Sequence, residues 1–332
     1  MKVLDAAPTV VLDDIASSDE DSKPVASIPR MPSRKELLDF QSPDVPVMHH
    51  ADFDALADRC INLLEHSRSK DHAASSCKSF NVHDQIFIAV AGTPGSGKSF
   101  IAERVADRIN ERSGEEELAV VIPMDGYHKT RKQLHQMAED QVPVKSDVWT
   151  ADDEPGVASE RVLTYEQLLG RRGAAFTYNP KKFIRDLEDA KRDGEGSFPI
   201  YSREKHDPVP NGAQLKNHHK IILVEGLYVL CHDDPDWAPL ASLWDDQWYV
   251  HVSLPETRRR LIKRHLEHWD EGKTKHWGGS DEAAAARKAD SNDLLNAKCI
   301  MKHTKPFAKL IVKNEHIPGQ SSSDDAEEKK DE

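Results

Sequence analysis

Eight consecutive residues carry the clearest chemistry in this chain: Gly92, Thr93, Pro94, Gly95, Ser96, Gly97, Lys98 and Ser99. They fit the pattern G-x-x-x-x-G-K-[ST], a loop that grips the phosphates of a nucleotide. Glycines let the backbone curl until successive N–H groups point at one anion. Lys98 adds a point charge for the β- and γ-phosphates, and Ser99 offers a hydroxyl to Mg²⁺. Further along, Asp125 follows an apolar run in Pro123-Met124-Asp125-Gly126-Tyr127-His128. A carboxylate there could take the proton of an acceptor hydroxyl while a phosphoryl group moves, although Asp-Gly also commonly starts a turn. Glu225 ends another apolar run, where an acid can hold Mg²⁺ or a water on it, or simply begin a turn before Gly226. Pro199 to Pro208 crowds Tyr201, Arg203, His206 and Asp207 into what reads as a short loop, suited to a small polar substrate or to solvent. Arg258, Arg259, Arg260, Lys263 and Arg264 fall on a predicted helix, with 260 and 264 one turn apart. Arginines closing over a nucleotide would spread the charge of a transferring phosphoryl group; an ordinary basic surface helix is the alternative. The histidines match no ligand spacing such as H-E-x-x-H, so they predict no metal site.

These groups need a scaffold. Ile86 to Ala91 reads as a buried strand ahead of the glycine loop. Apolar residues at Ile101, Val105 and Ile109 behind it give a helical spacing, and Phe100, which opens that helix, is expected among the nucleotide-binding residues with the loop. The helix N-terminus adds its dipole to the anion site. Further strands are predicted over 118–122, 220–224, 247–252 and 310–313. Helices are predicted over 160–169, 183–191, 256–269 and 281–299. Strands alternating with helices predict an α/β fold, a P-loop NTPase-type parallel sheet with helices on both faces. Upstream, Phe53, Leu56, Ala57, Cys60, Leu63 and Leu64 mark one face of an amphipathic helix over 51–66. The expected organisation is a disordered acidic arm at 1–32, an N-terminal helical extension at 33–84, a catalytic domain at 85–316 and a disordered acidic tail at 317–332.

Composition narrows the function classes. The net charge of the 332-residue chain is −13. Residues 1–21 hold six acids against one lysine, and 321–332 six acids against two, so nine of the thirteen net charges sit at the ends. Such ends would repel a phosphate backbone, and no nucleic-acid partner is expected. The longest apolar runs fall short of the ~18 residues that a membrane span needs. Cys60, Cys77, Cys231 and Cys299 are widely spaced, as in a reduced protein. The acidic N-terminus resembles neither a signal peptide nor a presequence, so a cytoplasmic place is expected, with the nucleus left open.

Together these segments resemble the phosphoribulokinase/uridine kinase family of P-loop small-molecule kinases, and within it the uridine kinase-like group. The matching stretches are Gly92–Ser99, Met124–His128, Arg171–Tyr178, Tyr201–Val209, Val224–Leu230, Arg260–His265, and Asn292, Asp293 and Asn296, in family order across 85–316. The resemblance implies ATP and Mg²⁺ as cofactors and a small hydroxylated metabolite as acceptor, with a homo-oligomer as a further possibility. By position it implies Asp125 as general base; Tyr127, His128, Tyr201 and His206 beside the acceptor; and Arg260 and Arg264 as lid arginines. The sequence departs from the family in two places. Tyr178-Asn179 stands where Phe-Asp is usual, and a polar stretch over about 136–158, containing Asp152-Asp153-Glu154, looks inserted. Uridine specificity is therefore not carried over. A nucleotide-binding regulatory protein without turnover, or an ATPase, is the alternative function.

Overall fold

The computed structural model describes residues 45–50, 52–73, 84–114, 117–150, 159–269 and 271–315. The expected arm (1–32), the tail (317–332), Asp152-Asp153-Glu154, Cys77 and parts of the 33–84 extension lie outside them.

Six strands form one sheet in the order β1-β10-β9-β2-β8-β3, every pair parallel. They are β1 (Val47–His49), β2 (Ile86–Gly92), β3 (Ala119–Pro123), β8 (Ile221–Gly226), β9 (Asp246–His251) and β10 (Leu310–Lys313). All seven residues of β2 and all six of β8 are buried, as expected for parallel strands covered on both faces. Alternation along β2 splits the core. Ile86, Ile88 and Val90 join Ile101, Val105 and Ile109 of α2 (Lys98–Ser113) and Leu56, Cys60 and Leu64 of α1 (Phe53–Ala73). Phe87, Ala89 and Ala91 face the other layer, with Phe183 and Leu187 of α5 (Pro180–Asp193), Trp237, and Ile300 of α9 (Leu294–His303). The five core strands predicted from the sequence all form, within a residue or two of the expected limits.

The expected N-terminal helix runs longer than predicted and is fastened by charge as well as apolar contact. Arg59 of α1 grips the buried Asp246 through Nε (2.7 Å) and Nη2 (3.2 Å), and Trp248 Nε1 donates to the same carboxylate. Burial works against ionised Asp246, but Arg59 and Trp248 hold its pKa below the usual carboxylate range.

Three expectations change. The helix expected over 160–169 is instead β5 (Ser159–Val162), paired antiparallel with β4 (Pro143–Ser146), followed by α4 (Tyr165–Gly170). Thr164 caps the Gln167 N–H and receives the Gln167 side chain in return, so the helix can only start after residue 164. The segment around Tyr201 is not a loop. It forms a hairpin of β6 (Gly196–Ser202) and β7 (Asp207–Leu215), bulged between Phe198 and Ile200. The helix expected over 281–299 breaks into α8 (Glu282–Lys288), a π-turn at Ala289–Asp293, and α9. The remaining helices among the described residues are α3 (Arg131–Glu139), α6 (Leu254–Glu267) and α7 (Glu271–Trp277).

Candidate active site

The site is built at the carboxyl ends of β2, β8 and β3, where ligands of open parallel sheets gather. The Gly92–Ser99 loop leaves β2 and enters α2. Gly97, the cap of α2, takes φ +85°, and a Cβ there would lie 2.4 Å from Asn314 Nδ2. Only glycine avoids both penalties. Asn314, just beyond β10, donates through Nδ2 to Ser96 O at 2.7 Å, and Thr93 Oγ1 lies 3.5 Å from Thr257 Oγ1 of α6. The loop is thus pinned from the β10 side and from α6.

Lys98 reaches the end of β8, its Nζ 3.7 Å from Glu225 Oε2, and the Ser99 hydroxyl faces the same carboxylate. Glu225 is buried, and Oε2 has no hydrogen-bond partner. Burial raises its pKa; Lys98 opposes this, and the nearby Asp125 adds to it. An orphaned carboxylate oxygen beside a hydroxyl is a donor set suited to a small hard cation, so these residues fit Mg²⁺.

The four residues after β3 form a 3₁₀ turn, Met124–Tyr127. Residues three apart eclipse in such a turn. Met124 and Tyr127 therefore share the buried side, while Asp125 and His128 share the other. Tyr127, expected to line the acceptor site, instead packs in the core at 1% exposure. Its ring centroid is 4.8 Å from that of Phe183, and its hydroxyl donates to Asp186 at 2.8 Å. Burial and Asp186 push its pKa up, so it stays a neutral core residue.

Asp125 is half-buried at the mouth of the site. Desolvation opposes its charge, but His128, Lys98, a hydrogen bond from Tyr178 and Arg264 outweigh it and hold its pKa below the ordinary carboxylate value. Tyr178 Oη donates to Asp125 Oδ1 at 3.2 Å. The sequence marks Tyr178 only as a departure from the Phe usual at that place in the family. The isolated β-bridge His128↔Tyr178 was the missing signal, and it is a tertiary one. His128 Nδ1 lies 2.8 Å from Asp125 O, so the ring is held by its own turn, and burial lowers its pKa despite Asp125.

The far wall comes from the hairpin. Tyr201 stands with its ring 5.0 Å from His128, which in turn stacks 4.0 Å from Tyr178. Arg172 lies 5.3 Å over the Tyr201 ring, donates to His206 O (2.9 Å) and Lys129 O (3.1 Å), and pairs with Asp207 at 3.4 Å. Arg203 and His206 themselves are exposed in the hairpin's turn, so the structure does not bring them to Asp125. Gly126 packs so closely on the hairpin that a Cβ would sit 1.9 Å from Pro199 O. Lys129 Nζ is buried against Phe176 O and Tyr178 O, and burial lowers its pKa to about 8.

The arginine run on α6 sorts itself. Arg258 pairs with Asp290, and Arg259 with Glu256. Arg260 is held by Glu256 Oε1 and Asn314 O, both at 2.7 Å. Arg264 alone of the four makes no hydrogen bond or ion pair among the described residues, yet it lies close enough to influence Asp125. Arg260 is thus a brace between α6 and the loop's support, and Arg264 is a free cation. Asn292 and Asp293, to which sequence gave no role, lie in the π-turn, and Asn296, likewise without one, follows it in α9. Asn292 Nδ2 donates to Arg172 O (2.8 Å), Asp293 Oδ2 meets His265 Nε2 (2.6 Å), and Asn296 Nδ2 donates to Asn292 Oδ1 (3.4 Å).

Two clusters of possible metal ligands lie elsewhere, Glu117/His218/His219 and Asp147/Cys299/His303. Their hydrogen bonding suits proton donors better than ligands. His219 Nδ1 accepts from Lys216 N, leaving the proton on Nε2, and His303 contacts Asp233 (2.7 Å) and Asp147 (3.0 Å) through its two nitrogens.

No family model matches the chain. It is 26% identical over 270 residues to a Schizosaccharomyces pombe protein named as a candidate uridine kinase, covering 80% of this chain and 90% of that one. An ATP-dependent kinase-like protein of Aspergillus versicolor is 29% identical over 198 residues, 58% of this chain and 94% of its own. Among solved structures, a candidate fructose transport system kinase of Silicibacter superposes with a TM-score of 0.52 at 26% identity, covering 68% of this chain and 89% of that one. In sequence and fold the chain is similar to these uridine kinase-like P-loop kinases. The circularly permuted P-loop protein YFH7 of Saccharomyces cerevisiae shares the fold, at 18% identity and a TM-score of 0.58 over 80% of this chain and all of that one. The curated YFH7 sequence of Zygosaccharomyces rouxii is matched over only 53% of its length. The ATP-dependent kinases among its relatives support ATP use, and no helix among the described residues is long and apolar enough to cross a membrane.

Proposed function

We propose that this kinase moves the γ-phosphate of ATP to a hydroxyl of a small polar metabolite, with Asp125 as general base. The observation that carries this reading is the half-buried, ionised Asp125, faced by Lys98, Tyr178 and the free Arg264 beside the phosphate loop. In the reaction the acceptor oxygen attacks the γ-phosphorus in line, and the bond to the β-phosphate oxygen breaks as ADP leaves. The acceptor proton passes to Asp125. The loop N–H groups and Lys98 orient the triphosphate, and Arg264 is the free side chain able to meet charge spreading over the transferred group. Ser99 and Glu225 would hold Mg²⁺, which neutralises phosphate charge when bound.

The acceptor would lie against His128 and Tyr201, under Arg172. Two aromatic faces beside a carboxylate suit a hydroxylated ring, from a nucleoside, a sugar or a vitamin-type alcohol. The test is ADP release by purified protein with Mg²⁺ across panels of those compounds, with Asp125→Asn alongside. One acceptor should stimulate ADP release, and the variant should lose about two to four decades while still binding ATP. Full activity in the variant would sink the base assignment. Tight ATP binding with a flat panel would favour a regulatory nucleotide-binding protein.

A further inference from the structure

The phosphate loop has two sides, and only one is used by the reaction described above. Lys98 and Ser99 turn toward Glu225 at the end of β8. The next residue, Phe100, turns the other way. Its ring meets Phe53 at 6.1 Å between centroids and 75° between planes, and Phe53 opens α1 shortly after β1. In the sheet order β1-β10-β9-β2-β8-β3, Glu225 and Asp125 lie to one side of β2, and β1 lies to the other. A triphosphate whose terminal phosphate points at Asp125 and Glu225 would leave its nucleoside end to extend the other way, on the side of β2 that β9, β10 and β1 occupy.

Phe100 is 47% exposed, and it is the single aromatic among the large exposed apolar side chains of the described residues. Lone exposed apolar residues are ordinary, but this ring is braced. Phe53 supports it edge-to-face, and the Arg104 guanidinium lies 5.8 Å from the Phe53 ring centroid. The loop is also stiffened on this side, by Asn314 on Ser96.

We propose that Phe100, braced by Phe53, is a stacking platform for the nucleobase of the bound nucleotide, so that the N-terminal helix completes the nucleotide site. The proposal rests on the reading of Gly92–Ser99 as the phosphate loop. A stacked ring recognises a flat π-face and no hydrogen-bond pattern, so the platform accepts adenine and guanine alike.

The test is calorimetric titration of the full chain, with Mg²⁺, using ATP, GTP and inorganic tripolyphosphate as probes. Phe100→Ala should weaken ATP and GTP by about tenfold, the scale of one aromatic stack, and leave tripolyphosphate within about twofold. Phe53→Ala should act in the same direction with a smaller effect, and Phe100→Trp should retain wild-type affinity. Unchanged tripolyphosphate binding also serves as the control for folding. Equal ATP affinity in Phe100→Ala and wild type overturns the platform. So does tighter ATP binding in that variant, which would mean the ring obstructs the site or holds a segment of this chain. Lys98→Ala separates the two readings. Loss of both ATP and tripolyphosphate leaves the phosphate loop standing whatever Phe100 does, and no change in either removes the loop and the platform together.

Discussion

Replacing Tyr178 by Phe removes one hydroxyl and nothing else from the Asp125 environment. The ring keeps its neighbours: His128 at 4.0 Å, Tyr228 at 5.6 Å and Trp237 at 6.1 Å between centroids. A hydrogen bond to a charged group contributes about 1.5–3 kcal/mol. At 3.2 Å the Tyr178–Asp125 bond is longer than the best O–H···O⁻ contacts, so the lower end applies. About 1.4 kcal/mol corresponds to one pKa unit. The hydroxyl favours the ionised carboxylate, so its loss raises the pKa of Asp125 in the free enzyme. If Asp125 is the base, the acid limb of kcat/KM moves to higher pH by about one unit, and the plateau, where Asp125 is ionised either way, falls only a few fold. The assay is ADP release against pH with the acceptor found in the panel, for wild type and Tyr178→Phe. An acid limb that stays in place or moves downward would refute the argument, because the titrating group would then not be the one Tyr178 touches.

Gly126→Ala should cost ~3 kcal/mol or more, since its Cβ must displace the Pro199 carbonyl; thermal denaturation should show a lowered midpoint with activity lost in parallel. Arg264→Ala should slow turnover by about a hundredfold with ATP affinity little changed, the pattern of a group that acts on transition-state charge. Burial alone would lower the pKa of His303, but Asp147 and Asp233 raise it to about 9. A raised pKa gives stability that is complete below the unfolded value near 6.5 and is lost as pH climbs through about 9, on the order of 3 kcal/mol. Lys129, lowered to about 8, works in the opposite direction at higher pH. The readout is therefore the difference in urea stability between wild type and His303→Gln, which should shrink from pH 6.5 to 10; a difference constant with pH would exclude the ion pairs as its cause.

How much of this was legible in the sequence depended on where each signal resides. The core strands could be read because a parallel strand buried on both faces is a continuous apolar run, as in Ile86–Gly92 and Ile221–Gly226. The phosphate loop could be read because its chemistry is local. The β6–β7 hairpin could not, because Pro199, Pro208 and Pro210 and a polar turn look like loop, and only pairing across the bulge makes them strands. Tyr127 was misplaced for a geometric reason. The resemblance set it with His128 beside the acceptor, but a 3₁₀ turn pairs positions three apart and puts His128, not Tyr127, on the side of Asp125. Tyr178 lies 53 residues from Asp125 in the chain, and no local pattern announces a hydrogen bond across that separation.

The π-turn explains what the sequence motif Asn292, Asp293 and Asn296 accomplishes. The extra residue in a π-turn rotates the following side chains relative to the preceding helix, so one short segment can face two partners. Toward α6 it presents Asp290 to Arg258 and Asp293 to His265, the neighbour of Arg264. Toward the hairpin it presents Asn292 to the carbonyl of Arg172, whose guanidinium covers Tyr201. The helix that carries the free arginine and the wall that would hold the acceptor are therefore fastened to the same five residues. A shift of α6 without a matching shift of Arg172 would have to break Asn292–Arg172 or Asp293–His265, and both lie in partly buried surroundings where an unpaired polar group is costly.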